Sequence, residues 1–286
     1  MAALLIVNVL ALTFQSVFCR LYTSSRRGEG AEHYTLLYCL LAGLGSLALN
    51  GFSYAPSGLT VLLGLLGALS LYLYNIALVK ASSLGSFAFL MVGNLVGGTA
   101  MPIAYDVIFL GNHPTPLQWA AIGVILVSFV LMNLEGLKEK KNRRYLLWVL
   151  LLFLANGVYM TLMGIQQSSM NYTQRPEMLV TTYLGAALLV GISQWAIHPR
   201  SFSEGFRMPR AAWLYLVLAA ACCIAGSNLT LALMNPFGIT TVNVVDHGGV
   251  LVCSALVAWV LFKEKASPAK IAGLVLAGIG LIALVI

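Results

Sequence analysis

Charged residues are scarce in this sequence. Lysine, arginine, aspartate and glutamate together make up 9% of its 286 residues, whereas hydrophobic residues make up 60%. A soluble domain carries about 25% charged residues, so this chain cannot cover a water-facing surface. Apolar windows of about 18 residues or more recur from end to end, and each can span about 30 Å of hydrocarbon. We therefore expect a multi-pass integral membrane protein whose surroundings are the lipid bilayer.

The sequence also lacks the residue patterns that hold metals or form common hydrolytic sites. Its five cysteines all fall in apolar runs, where they behave as small buried hydrophobes: Cys19, Cys39, Cys222, Cys223 and Cys253. Neither an H-E-x-x-H nor a G-x-S-x-G motif is present. We expect no metal, no cofactor and no enzymatic activity.

Hydropathy and loop chemistry divide the chain into ten predicted spans. They are roughly 2–19, 34–52, 57–79, 84–110, 116–135, 145–166, 177–197, 212–234, 239–262 and 268–286. The first segment has neither a basic leader nor a small-residue cleavage site, so we expect it to be a span and not a removable signal. The loops are short, so function is expected inside the helical bundle.

The basic residues are distributed on one side of these spans. Fifteen of the 16 lysines and arginines fall in alternate loops, and only Arg175 lies opposite. The positive-inside rule makes those loops cytoplasmic and both termini extracytoplasmic, in a plasma or inner membrane. The net charge of +7 is thus a topology signal, and we expect no nucleic-acid partner.

The chain repeats itself after about 152 residues. Asn75-Ile-Ala-Leu leads to a glycine ten residues later, and Asn228-Leu-Thr-Leu does the same, while Pro116 and Pro268 open the fifth and the last span. We predict an all-α membrane protein of ten transmembrane helices, built from repeats 1–137 and 145–286 that are joined by a basic loop, 138–144. Because five spans is an odd number, the repeats must insert with opposite orientation, as in many secondary transporters.

The segment that ends each repeat carries a family resemblance. The second repeat ends with LFKEKASPAKIAGLVLAGIGLIALVI, in which Glu264 is followed by a short loop, Pro268 and a glycine-spaced final helix that contains Gly273. The first repeat has Asn112 at the position where the family pattern frequently has glutamate. With its two five-helix halves, the chain resembles the ten-helix EamA-like branch of the drug/metabolite transporter superfamily. The resemblance implies a carrier of amino acids, sugars, nucleotide-linked sugars or drugs, with a central cavity lined by spans one, three, four, six, eight and nine.

Asp246 and His247 are the most polar pair inside a span. Asp246 lies about 8 residues, or roughly 12 Å, below the predicted outer surface, too deep for its side chain to reach water at the interface. We favour a functional role for Asp246, as a proton-coupling or cation-substrate site. For His247, substrate contact and a satisfied buried polar role both stay open. Asp106 and Glu135, in contrast, are expected to be interfacial because they lie near span ends.

Glycines accompany these polar residues in both repeats. Gly248 and Gly249 follow His247, and the repeat mate supplies Gly93-Asn94 at the positions of Asp246-His247 and Gly97-Gly98 at those of Val250-Leu251. We interpret these five glycines as close-packing positions, with a hinge or gating contribution left open. Asn94 and His247 thus occupy equivalent positions in the two repeats. The position equivalent to Asp246 in the first repeat is a glycine, so Asp246 has no polar counterpart.

Further polar and aromatic residues are expected to line the same cavity. The predicted substrate-binding set is His247, Asn243, Asn94, Asn75, Asn228, Gln15, Asn156, Tyr159 and Tyr72. Each amide alone could serve only to join helices, at about 0.6 kcal/mol. Together they would suit a small polar solute.

The sequence therefore favours a secondary active transporter of a small polar metabolite, working by alternating access around a midplane site, with proton coupling as an option. Two alternatives stay open: an intramembrane enzyme that uses Asp246 and His247 as an acid–base pair, and a membrane subunit that transports nothing. A homodimer is left open as well.

Overall fold

The structure is a computed structural model that describes residues 2–26, 31–82, 84, 87–132, 134, 143–197, 206–260 and 267–285. Within these ranges the chain forms ten α-helices and no strand. Helices suit such an apolar sequence because they satisfy their backbone N–H and C=O groups internally, which lipid cannot do for them.

The ten helices follow the predicted order along the chain. They are α1 Ala2–Ser25, α2 Ala31–Leu49, α3 Gly58–Ser82, α4 Phe87–Phe109, α5 Pro116–Met132, α6 Arg143–Ser169, α7 Arg175–Ile197, α8 Arg210–Phe237, α9 Ile239–Val260 and α10 Pro268–Val285.

Most helix boundaries lie within a few residues of the prediction, with two differences. Helix α1 continues six residues beyond the predicted end at residue 19, so Arg20 is helical and not in a loop. Helix α6 begins at Arg143, inside the predicted connecting loop 138–144. Residues 138–142, Glu135 and Glu264 lie outside the described residues, so the predictions that concern them have no structural counterpart here.

The apolar character of the helices agrees with a multi-pass membrane protein. In the described residues, six helices (α1, α3, α6, α7, α8 and α9) have the length and composition needed to cross a membrane, and α5 and α10 contain shorter apolar stretches. Many large hydrophobic side chains are exposed on the outer surface of the bundle, where a soluble protein would carry polar ones.

Contacts between helices run mainly between the two halves of the chain. Six of these contacts form three corresponding pairs. The contact of α1 with α8 corresponds to that of α6 with α3, and the contact of α4 with α6 corresponds to that of α9 with α1. The contact of α3 with α7 corresponds to that of α8 with α2. Three further contacts, α5 with α10, α2 with α7 and α4 with α9, pair helices that are five apart in the order. If each helix is replaced by the helix five places away in the order, the list of principal contacts stays the same.

Small residues allow the backbones to approach closely. Where α10 crosses α5, a Cβ atom at Gly273 would lie 3.0 Å from the Ser128 carbonyl oxygen, and one at Gly280 would lie 3.1 Å from that of Ala121. Close approach of this kind, made possible by small residues, is how apolar helices associate in lipid.

A single residue connects α8 to α9. Gly238 has φ 81° and ψ 157°, a region of backbone conformation that essentially only glycine adopts. Its N–H donates to the Met234 carbonyl at 3.0 Å, and α9 begins immediately after it. The two helices fold back on each other around Gly238, which brings Thr230 of α8 beside Asp246 of α9.

Candidate functional site

His247 is held by a bond within its own helix. Its Nδ1 lies 2.9 Å from the Asn243 carbonyl oxygen, one turn earlier on α9. Because a carbonyl can only accept, Nδ1 carries the hydrogen in this contact, and in the neutral ring Nε2 is then an acceptor. The ring is buried, so its Nε2 is presented to the interior of the bundle and not to lipid.

Helices α4 and α6 meet His247 at Gly98. A Cβ atom at Gly98 would lie 2.3 Å from His247 Nε2 and 2.5 Å from Asn156 Nδ2, so the absence of a side chain is what admits both groups. Asn156 Nδ2 donates to the Asn94 carbonyl oxygen at 2.8 Å. We call Asn94, Gly98, Asn156 and His247 the central cluster; it joins α4, α6 and α9.

The central cluster contains an unpaired acceptor. Asn94 is buried, and its side-chain Oδ1 has no hydrogen-bond partner among the described residues. A buried amide oxygen without a donor is unfavourable by about 1–3 kcal/mol, and such groups are rare in native structures.

Asp246 belongs to a second group of polar side chains. Its Oδ1 accepts from Asn8 Nδ2 at 2.8 Å and its Oδ2 accepts from Thr230 Oγ1 at 2.7 Å. Asn8 Nδ2 also lies 2.9 Å from Thr230 Oγ1. We call these three residues the carboxylate cluster; it joins α1, α8 and α9. His247 is therefore bonded elsewhere, and the adjacent polar residues of α9 serve two different groups.

The predicted glycines all lie at helix contacts. A Cβ atom at Gly93 would meet Val149, and one at Gly97 would lie 2.3 Å from the Phe153 carbonyl oxygen, both on α6. On α9, Gly248 approaches Leu281 and Ile125 of α10 and α5, and Gly249 approaches Val9 of α1. These glycines lie on α4 and α9, the two helices that also carry Asn94, Asp246 and His247.

The remaining predicted residues are more dispersed. The amides of Asn75, Asn228 and Asn243 each donate to the carbonyl four residues earlier in their own helix, at 2.8 Å in all three cases. Asn75 and Asn228, the landmark pair of the repeat, thus make the same bond in α3 and α8.

Gln15, Tyr159 and Tyr72 are not among the residues that form the central cluster. Gln15 Nε2 donates to the Tyr38 hydroxyl, which links α1 to α2. Tyr159 is buried in the hydrophobic core, and Tyr72 is partly buried.

Asp106 is bonded inside the protein. It is expected near the membrane interface, and within the bundle it is only 3% exposed. Its Oδ2 accepts from the Thr240 N–H at 3.1 Å and from Thr240 Oγ1 at 2.6 Å, and its Oδ1 accepts from Asn112 Nδ2 at 2.9 Å. The carboxylate of α4 therefore caps the first turn of α9, where unpaired N–H groups and the positive end of the helix dipole favour an anion.

Three residues of these groups were missed by the sequence reasoning: Asn8, Thr230 and Asp106. Asn8 and Thr230 are single polar residues in apolar helices, and only the presence of Asp246 elsewhere in the chain gives a reason to look for its partners. Asp106 had a usable signal, because a helix that starts directly after Gly238 with two threonines needs an acceptor at its N-terminus. In the described residues there is no group of three or more His, Cys, Asp or Glu side chains that could hold a metal ion.

Comparisons with known proteins bear on the fold alone. No family model matches the sequence, and no curated protein matches it. The chain is similar to a solved structure described only as the crystal structure of a protein, with a TM-score of 0.77 and 16% sequence identity over 99% of this chain and 97% of that one. At this level of identity the likeness concerns the arrangement of the helices over the full length of both chains.

Proposed function

We propose that the protein is a secondary active transporter of a small polar metabolite, such as an amino acid, a sugar or a drug-like solute. The observation that carries the proposal is the central cluster, in which Asn94 and Gly98 of one half meet Asn156 and His247 of the other inside an apolar bundle. Polar groups inside a membrane bundle are unfavourable and typically mark a substrate or ion pathway.

The exchange of helix contacts supports an inverted repeat of five helices. If the first five helices correspond to the last five, each principal contact has its counterpart, as a pseudo-two-fold axis requires. In transporters of this architecture the substrate site lies where the repeats meet near midplane, and the repeats rock around it. Asn94 and His247 are equivalent positions in this scheme. We also propose that the protein belongs to the EamA-like branch, that its ten helices are ten membrane spans, and that it lies in a plasma or inner membrane. The inverted-repeat scheme agrees with all three proposals.

Asp246 is the proposed coupling residue. Its neighbours in the carboxylate cluster are both neutral, so a negative charge there is not balanced by the groups that bond it. A buried charge needs neutralisation, either by a proton or by a bound cation. Alternate neutralisation and release of Asp246 would link solute movement to an ion gradient.

The bonding of the two residues disfavours the enzyme alternative. An acid–base pair must act on one substrate, but Asp246 is bonded to Asn8 and Thr230, whereas His247 faces Gly98 and Asn156. A subunit without transport activity would leave the unpaired Asn94 oxygen and the buried polar groups without a role.

Transport by purified protein in liposomes tests the proposal. Vesicles preloaded with a panel of unlabelled amino acids, sugars and nucleosides are diluted into each labelled counterpart, and exchange is measured. We expect at least one class to exchange, His247→Ala to abolish that exchange, and His113→Ala, in the exposed α4–α5 connection, to retain it. Equal exchange by wild type and His247→Ala would place the solute path elsewhere, and no exchange for any class would oppose transport of these metabolites.

A further inference from the structure

The carboxylate cluster is a compact set of polar groups from three helices. Asp246 contributes two carboxylate oxygens, Thr230 a hydroxyl, and Asn8 a side-chain amide whose nitrogen bonds both of them. Asn8 is fully buried, and its Oδ1 has no hydrogen-bond partner among the described residues. The nitrogen of this amide bonds both Asp246 and Thr230, so a half-turn of the amide about its Cβ–Cγ bond would bring the unpaired oxygen to the carboxylate and the hydroxyl.

The groups that surround Asp246 leave its charge uncompensated. Both bonds to the carboxylate come from neutral donors, and the carboxylate is only 5% exposed. One carboxylate matches one positive charge. A divalent ion would normally require more negative oxygen ligands, as Ca²⁺ and Mg²⁺ sites provide. An organic cation would need space that this tightly bonded group does not offer.

A proton would neutralise Asp246 but would leave the Asn8 oxygen unpaired. A small monovalent cation would satisfy both once the amide has turned, because it can then draw on the carboxylate, the hydroxyl and the amide oxygen together. Carboxylate, carbonyl and hydroxyl oxygens are the ligands that hard cations take in proteins.

The other half of the chain shows that packing alone does not require this cluster. The position equivalent to Asp246 is Gly93, whose Cβ direction meets Val149 of α6, and the position equivalent to Thr230, 153 residues earlier, is Ala77. Ala77 and Val149 belong to one apolar cluster. At this point α4 and α6 are thus packed with apolar groups, whereas the related point, where α9 meets α1 and α8, carries a carboxylate, a hydroxyl and an amide. The difference indicates a task confined to one half.

We propose that Asn8, Thr230 and Asp246 form a binding site for a monovalent metal cation, with sodium as its ion. The site deepens the proposed function, since a sodium ion there would be the coupling ion of the transporter. It rests on that function only for its physiological role, because ion binding itself can be measured without any solute.

Thermal unfolding of the purified protein in detergent tests the site. The midpoint is followed while sodium chloride replaces choline chloride at constant ionic strength and pH. A ligand that binds only the folded state at 100 times its Kd raises the midpoint of a protein of this size by about 5 °C or more, and the rise saturates. We expect this rise with sodium and none with choline. An equal midpoint in the two salts, or stability that responds to pH but not to sodium, would overturn the proposal.

Matched variants assign the rise to the cluster. Asp246→Asn and Thr230→Val are expected to lose the sodium-dependent rise. Thr230→Ser, which keeps the hydroxyl, and Thr182→Val, which removes a buried hydroxyl from α7, are expected to keep it. A full rise in Thr230→Val or Asp246→Asn would place the ion elsewhere. If Asp246→Asn does not fold, the Thr230 pair decides the assignment, with binding of radioactive sodium as the second readout. Sodium binding without solute exchange would contradict the proposed transport and leave the sodium site supported. Solute exchange without sodium binding would support transport and contradict the sodium site.

Discussion

Replacing Gly98 by alanine should disrupt the central cluster by a contact that can be measured. The added Cβ would lie 2.3 Å from His247 Nε2 and 2.5 Å from Asn156 Nδ2, whereas ordinary contacts begin near 3.4 Å. Neither group can move away freely. His247 is bonded to the Asn243 carbonyl and Asn156 to that of Asn94. We expect the ring to rotate and at least one of these bonds to break.

The expected magnitude follows from two opposing terms. Inserting a methyl group into a packed interior typically destabilises a protein by about 1–3 kcal/mol. Exchanging glycine for alanine within a helix stabilises it by about 1 kcal/mol. The second term is shared by Gly123→Ala in α5 and Gly278→Ala in α10, where no described heavy atom lies within 4 Å of the new Cβ. Compared with these controls, Gly98→Ala should therefore be less stable by about 1–3 kcal/mol.

The assay is thermal unfolding of the three variants, followed by solute exchange in liposomes. For a chain of this size each kcal/mol corresponds to about 2–4 °C, so Gly98→Ala should melt several degrees below both controls. It should also lose exchange, because His247 and Asn156 no longer occupy their positions. Adding Asn156→Ser, which shortens one of the two obstructing side chains, should recover part of the lost stability. If Gly98→Ala melts with the controls, the close contact is absent in solution and the central cluster is not assembled as described.

Three further predictions concern other contacts of the same bundle. Asp106→Ala leaves two donors at the start of α9 unpaired, so it should lower the free energy of unfolding by about 1–3 kcal/mol. Asp106→Asn keeps an acceptor and should lower it less. Equal melting midpoints of the two variants would contradict the capping role. Gly249→Ala should destabilise the protein because the added methyl group collides with Val9, and Val9→Ala in the same chain should restore part of the lost stability. In a double-mutant cycle measured by thermal unfolding, we expect a coupling energy of about 0.5–3 kcal/mol between the two substitutions. Strictly additive effects would show that the two side chains do not meet. In a cysteine-free background, a membrane-impermeant maleimide should label Ser53→Cys from outside the cell and leave a cysteine in loop 138–144 unlabelled, and the reverse pattern would invert the orientation.

The helices could be predicted because their signal is local. Apolar stretches of the right length, separated by glycine, proline and charged residues, indicate where each helix lies. The ends were less certain, as for α1, because a helix can continue past the apolar stretch for as long as its backbone bonds persist. The glycines of α4 and α9 were also informative, since small residues on one face of an apolar helix indicate a close neighbour.

The partners of the polar residues could not be predicted in the same way. Asn8 and Asp246 are 238 positions apart, and nothing near either residue indicates the other. Their contact exists because α1 crosses α9, which depends on the packing of the whole bundle. The bond of Asp106 to Thr240 likewise joins residues 134 positions apart, because α9 begins beside the last turn of α4.

The one-residue connection between α8 and α9 has a consequence for how the protein is made. Thr230 and Asp246 stand eight positions before and after Gly238, so their bond forms within a local hairpin and needs no distant segment. During synthesis, α8 and α9 can leave the translocation machinery together, with the carboxylate already paired to the threonine. We expect this pairing to ease the entry of Asp246 into lipid before α1 docks. The buried carboxylate would then reach its place in the bundle already bonded to a residue of the preceding helix.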